Sequence, residues 1–443
     1  MRNYRAILLA FFVGLGCSVL LEAATKTEDK SDPKAASGPI ETVKLFDGKS
    51  LDGWGYYLVE PDVKMDDVWS VRDGMIVCKG KPMGYLATKK DYTNFRLLVE
   101  WRYPPGVDPT NSGVLMRING EPKGLPRCVE AQLKHESVGD FWAFDDFKIS
   151  GDPKRTKKVT SDKWGKLTGI AKESDNEKPA GEWNTYEIIA DGSTITLIVN
   201  GKQVNQAVDC EITPGKIGLQ SEGGEIHFRK VELTPIKQVE SPKGKTVNLL
   251  EDETLADWDF FLRDRKDQTK QDTTTKKEDV WKVTDGVLSC KGRPVGYLRT
   301  KAKYDNYILD LQWRWPENTK LGSNNGVLVR AHGEEMVWPK SIEAQLKTEN
   351  AGDVYTNHEF GITPVPGRTD GRRTPKLYPS NEKPFGQWND YQLILDGDIL
   401  TLKVNGLLQT QITGVEELPG WICLQSEGRP IEYRNIRVTP LGK

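Results

Sequence analysis

Hydrophobic and polar residues alternate with a period of two through much of the chain. The segment FRLLVEWRY at 95–103 puts Phe95, Leu97, Val99, Trp101 and Tyr103 on one face and Arg96, Glu100 and Arg102 on the other. YILDLQWRW at 307–315 does the same, with Tyr307, Leu309, Leu311, Trp313 and Trp315 against Asp310, Gln312 and Arg314. That period predicts half-buried β-strands. Asp191-Gly192 and Asn200-Gly201 bracket an apolar run, as Asp396-Gly397 and Asn405-Gly406 do later. Such Asx-Gly pairs supply the positive φ that tight hairpins need. Roughly ten or eleven short strands per half of the chain, with no amphipathic helix, predict an all-β fold of two-sheet, jelly-roll sandwiches. The rhythm breaks between Lys134 and Gly181, and again between Lys347 and Gly386, where no strand is evident. Connections of that length usually cover a functional site or are disordered.

The two halves are copies. DVWSVRDG at 67–74 returns as DVWKVTDG at 279–286, and CKGKPMGYL at 78–86 as CKGRPVGYL at 290–298. VEAQLK at 129–134 returns as IEAQLK at 342–347, and LQSEG recurs at 219–223 and 424–428. A chain of 443 residues exceeds what one core usually holds. The repeats therefore predict two tandem domains, over 41–236 and 245–441, joined by a linker at 237–244.

The first 24 residues stand apart. Arg2 and Arg5 precede an uncharged apolar run from Ala6 to Leu21, followed by small residues, the pattern of a secretory signal. Export to the periplasm or the exterior is expected. The run is shorter than a bilayer span, so the mature chain is expected to have no membrane span. Cys17 after Gly16 fits a lipid anchor only weakly, since Gly14 stands where a bulky aliphatic residue belongs. Residues 25–40 lack large apolar side chains apart from Ile40 and read as a disordered tether. With 62 basic and 64 acidic residues, the chain has no excess positive charge to attract nucleic acid. Of the five later cysteines only Cys78 and Cys290 match between copies, which argues against a repeated disulfide framework and leaves room for one bridge in the first copy.

Alternation also selects the candidate chemistry. In the strand around 128–134, Val129, Ala131 and Leu133 are apolar, so Glu130, Gln132 and Lys134 share the other face; Glu343, Gln345 and Lys347 repeat them. Arg117 precedes Glu130 by 13 residues, as Arg330 precedes Glu343. Asp140 follows Glu130 by ten, as Asp353 follows Glu343. A Glu among cations suits acid/base work, and Arg117 or Lys134 could hold developing negative charge. Gln132, Arg102, Gln220 and Trp142 are candidates for holding a sugar. The competing interpretation is a solvated sheet face carrying cross-strand ion pairs. None of the four histidines recurs, which excludes a His-based triad or zinc site shared by both copies, although His135 could serve one. No cofactor is expected; a structural calcium ion is the one metal left open. Eight of the thirteen tryptophans form matched pairs, Trp54/Trp258, Trp69/Trp281, Trp101/Trp313 and Trp183/Trp388, and are expected in the core.

LFDGKSLDGW (45–54), EWR (100–102), NSGVLMR (111–117), EAQ (130–132), GEWN (181–184), VNG (199–201) and GKIGLQSEGGEIHFR (215–229) together resemble the 3-keto-disaccharide hydrolase family, long a domain of unknown function. The resemblance implies a concanavalin-like sandwich and cleavage of glycosides whose sugar carries a 3-keto group, and it singles out Arg117, Glu130 and Gln132. The ketone would acidify the C2 proton for removal by Glu130, after which the aglycone leaves and water adds. An ordinary glycosidase would need a second carboxylate, for which Asp140 is the candidate. The second copy has drifted, with LLEDETLADW at 249–258 and Gln387 in place of Glu182. Activity is therefore expected in the first copy and a supporting role in the second. The alternative function is a non-catalytic carbohydrate-binding or surface-interaction module, since the same sandwich hosts both.

Overall fold

A computed structural model describes residues 40–442 apart from 163, 239–243, 252, 265–269 and 320–322. The expected signal, nearly all of the tether and most of the linker lie outside the described residues. Two tandem antiparallel sandwiches make up the fold. The first pairs an eight-stranded sheet with another of eight, and the second pairs eight with seven. Short pairs such as Val43–Lys44, and the edge strands described below, account for the excess over ten or eleven per copy. Among the described residues, helix is confined to the single turns Met65–Val68 and Lys277–Val280. No helix among the described residues is long and apolar enough to cross a membrane.

Period-two patterning builds each core. Along Phe95–Arg102, Phe95, Leu97, Val99 and Trp101 point between the sheets while the intervening residues point out. Tyr307–Arg314 repeats this in the second sandwich. Trp54, Trp69, Trp101 and their partners Trp258, Trp281 and Trp313 are buried as expected. Truncating such a ring costs about 3–5 kcal/mol. The pair Trp183/Trp388 departs from expectation. Trp183 lies outside the core between Arg102 and Arg229, at 4.6 and 4.3 Å from its ring centre, and Trp388 lies between Arg314 and Arg434.

The segment after Lys134 also differs from its reading as a long loop. Phe141–Phe144, Thr156–Ser161 and Gly165–Ile170 extend the sheet that carries Glu130. Thr156–Ser161 is an edge strand exposed along most of its length, so it needs no apolar alternation, and its sequence TKKVTS carries none. In the second sandwich the corresponding segment supplies only Val354–Asn357 and Arg373–Thr374.

The sandwiches pack on each other through Ile189, Ile198 and Ile236 from the first and Tyr378, Leu407 and Leu408 from the second. Arg96 Nε donates to Tyr378 Oη across this boundary at 2.9 Å, and Gln411 exchanges two hydrogen bonds with the main chain of Lys237.

Candidate active site

Strand register gathers one polar patch on the outer face of the Glu130 sheet. Glu130 on Arg127–Gln132 stands opposite Leu115 on one neighbour and Trp142 on the other. Gln132 stands opposite Gly113, and Gln220 opposite Tyr85, which in turn faces Tyr57. Residues in register share a sheet face. The pairing Leu219–Val114 and the bridge Asn111–Glu222 carry the same register on, bringing Gln220 alongside Gly113 and Glu222 to the end of the patch. Gly113 is required here: a Cβ would collide with the Glu130 carboxylate, which folds over it. Gly326 plays the same part beneath Glu343, where a Cβ would lie 2.7 Å from Gln425 Oε1.

The patch is not a solvated face. Glu130 is 2% exposed, on the sheet face that also carries a cluster including Tyr85, Leu115 and Phe144, against which Trp142, Trp164 and Leu167 pack. Trp142, Trp164 and Leu167 come from the segment after Lys134, which adds to this cluster while extending its sheet, and of the three Trp142 stands in register with Glu130. Burial pushes the Glu130 carboxyl well above the usual carboxylate range, and the charge of Glu222 raises it further. Glu222 is raised by burial too, but the Asn111 amide and Lys134 favour its charged form. Both carboxyls are raised, Glu130 the more strongly, and only Glu222 has partners that oppose the shift. Gln132 Oε1 accepts from the Leu133 and Lys134 main-chain N–H groups, which leaves its NH2 end as the available donor.

Unpartnered buried polar atoms collect at this patch. Glu130 Oε1, both amide atoms of Gln220 and Asn111 Oδ1 are buried without a hydrogen bond. Each such atom costs about 1–3 kcal/mol. The second sandwich repeats the amide part of the set with Gln425 and Asn324 Oδ1, but its orphaned carboxyl atom is Glu427 Oε2, the counterpart of Glu222, and not Glu343. Orphaned groups converging at equivalent places in two domains are what a hydroxyl-rich ligand would satisfy.

The second site adds cations. Arg372 Nη1 donates to Asn357 Oδ1 at 2.7 Å, and its guanidinium lies 5.0 Å from the Tyr355 ring centre. Gln345 Nε2 donates to Glu343 Oε1 at 3.2 Å. Burial and then Glu427 push the Glu343 carboxyl up to about 7, against the opposing pull of Arg372 and the Asn357 and Gln425 side chains. A raised carboxyl favours the folded state below its unfolded pKa, and that advantage is lost as pH rises through the folded value. The parent should therefore lose roughly 2–3 kcal/mol between pH 4.5 and 7 on this account. Glu343→Gln should remove that part of the pH dependence in denaturant unfolding; an unchanged slope would show that Glu343 does not titrate there.

The remaining sequence candidates separate. Trp142 and Gln220 lie on the Glu130 face, with Lys157 Nζ 4.6 Å from the Trp142 ring centre. Lys134 and Lys347 are exposed. Arg117 is not beside Glu130. A bulge after Met116 and a left-handed φ of 52° take it out of alternation, and its buried guanidinium donates to the main-chain carbonyls of Thr93, Gly192 and Glu211. Arg330 does likewise with Gly397 and Glu416. Asp140 accepts from the Lys172 N–H at 2.8 Å, and Asp353 is held by Arg373 and the Lys376 N–H, so both fasten loops. Arg102 points out of the opposite sheet onto Trp183. Glu182 is an exposed turn residue preceding that tryptophan, so its change to Gln387 does not distinguish the two sites. His135 pairs with Glu177, and the five cysteines are buried free thiols. Among the described residues no three His, Cys, Asp or Glu side chains form a metal-binding group.

Glu222 and Asn111 belong to the site but were not among the sequence candidates. Both lay within quoted motifs, and LQSEG repeats as a block, so the repeat itself carried the signal for Glu222.

The model of the 3-keto-α-glucoside-1,2-lyase-like domain matches residues 41–234 and again 245–439. The chain belongs to this family. A 3-keto-disaccharide hydrolase of Bacteroides thetaiotaomicron is 22% identical over 213 residues, covering 36% of this chain and 70% of the relative. A glycosyl hydrolase structure described as putative, from Parabacteroides distasonis, aligns at 21% identity with a TM-score of 0.32, over 44% of this chain and 94% of that one. A carbohydrate-binding module from Bacillus subtilis aligns at 13% identity with a TM-score of 0.31, over 41% and 94%. The chain carries two such domains in tandem.

Proposed function

We propose that the first sandwich cleaves 3-keto-glycosides by elimination followed by hydration, with Glu130 and Glu222 as its acid/base pair. The observation that carries this reading is the buried Glu130 carboxyl and the half-buried Glu222 carboxyl that raises it, held in unlike environments. A ketone at C3 acidifies the C2–H bond. Glu222, the more readily ionised partner, takes that proton, and the electron pair moves to the C3 oxygen as an enolate, which the amide donors of Gln132 and Gln220 face. The enolate re-forms the ketone as the C1–O bond breaks, and Glu130 gives its proton to the departing oxygen. Water then adds across the new C1–C2 double bond, giving the 3-keto sugar and the free aglycone. Trp142, in register with Glu130, offers a ring to the sugar.

For the second sandwich we propose a supporting, sugar-binding role, because Glu343 already accepts a hydrogen bond from Gln345 and feels the charge of Arg372. Export, proposed from the N-terminal pattern, would put the protein where extracellular glycosides are met.

Turnover of 3-keto and unmodified glycosides in D2O tests the mechanism. Elimination and hydration place deuterium at C2 of the product at early times, ahead of background exchange. Cleavage with full retention of hydrogen at C2 would mean direct hydrolysis, and sugar binding without cleavage would leave a binding module.

A further inference from the structure

A cleft of about 560 Å³ lies between the two sandwiches, away from both carboxyl pairs. That volume suits one small ligand. Thr42, Thr234 and Ile236 border it from the first sandwich, and Val365, Arg368 and Leu408 from the second. An exposed carboxylate, Glu41, also borders the cleft, and the other polar groups of its walls are mostly committed. Thr42 and Thr234 share a hydrogen bond, and the Gln411 amide is taken by Lys237 and Thr401. The nearby Arg96 is neutralised by Glu187 and also donates to Tyr378. Arg368 is different: its Nε and Nη2 are buried with no hydrogen-bond partner.

A partly desolvated guanidinium with unused donors is costly unless something pairs with it. Its planar fork matches the two oxygens of a carboxylate or sulfate. We propose that this cleft is a second ligand site, which takes a small oxyanion, the carboxylate of an acidic sugar or free sulfate, on the fork of Arg368. The destabilised positive charge agrees with that assignment, since burial and then Arg96 push the Arg368 guanidinium down to about 10.

Thermal unfolding at constant ionic strength, with glucuronate, sulfate or glucose added to the full chain, tests this. Glucuronate or sulfate should raise the melting temperature of the parent, and glucose should not. A response to glucuronate alone assigns the site to acidic sugars; an equal response to sulfate assigns it to the free anion. Arg368→Gln should weaken binding about ten- to a hundred-fold, the loss of charge-assisted hydrogen bonds. Without anion it should melt no lower than the parent, because a half-buried charge with two unpartnered donors has been removed. Arg368→Lys, which keeps the charge and loses the fork, should also lose the response and serves if the glutamine variant does not fold. Glu130→Gln should retain the anion response. No response in the parent, a response that survives in Arg368→Gln, or one abolished in Glu130→Gln would overturn the proposal. So would a lower melting temperature of anion-free Arg368→Gln, which would make Arg368 structural.

Discussion

Glu130→Gln should lower turnover of a 3-keto-glycoside by roughly 10²–10⁴-fold, the usual contribution of general acid–base catalysis, while the protein stays folded. The substitution is isosteric, and Glu130 Oε1 has no hydrogen bond to lose. Its carboxyl is buried and raised, so an amide in its place removes a group that costs stability once it ionises. Glu222→Gln should be comparably slow if Glu222 is the base. The pH profile separates the two roles. Activity needs Glu222 ionised, which gives the acidic limb, and Glu130 protonated, which gives the alkaline limb. Glu130→Gln should abolish the alkaline limb of whatever activity remains. Glu343→Gln should affect turnover far less, because the second site already ties its carboxyl to Gln345. Parental turnover in Glu130→Gln would remove it from the mechanism. Loss of sugar binding together with stability would point instead to a merely structural carboxyl.

The fold was legible in the sequence wherever one face of a strand meets the core. Phe95, Leu97, Val99 and Trp101 could be read inward because water on one side and core on the other impose a period of two. The same argument failed for Thr156–Ser161, a mostly exposed edge strand whose composition hydrophobic burial does not constrain. It failed again for Trp183, since a matched tryptophan in a repeat does not reveal which face it takes. At the site, alternation placed Glu130 and Gln132 correctly on the face opposite Val129 and Ala131, but not the burial of that face, which needs side chains from non-adjacent strands. Fixed spacing grouped Arg117 and Asp140 with Glu130 because structural and catalytic residues repeat alike when a domain is duplicated. Glu222 was passed over because it follows the end of its strand, where the period no longer says which way a side chain points.

Arg117 provides the sharpest contrast between a catalytic and a structural role. Arg117→Met should destabilise the first sandwich by at least about 3 kcal/mol, since it leaves the carbonyls of Thr93, Gly192 and Glu211 buried without their donor. For a domain of this size that is a fall of roughly 6–12 °C in the melting temperature of the first transition. Arg117→Lys keeps the charge but cannot reach three carbonyls with one ammonium, so it should recover only part of the loss. The left-handed backbone at residue 117 adds to the constraint, because the bulge exists to turn this one side chain inward toward those carbonyls. Arg330→Met should act in the same way on the second sandwich, where the guanidinium holds the carbonyls of Gly397 and Glu416. Turnover per folded molecule, measured well below the transition, should stay near that of the parent in both variants. A parental melting temperature combined with a loss of turnover above a hundred-fold would return Arg117 to the chemistry and mean that the guanidinium leaves its carbonyls to meet the substrate.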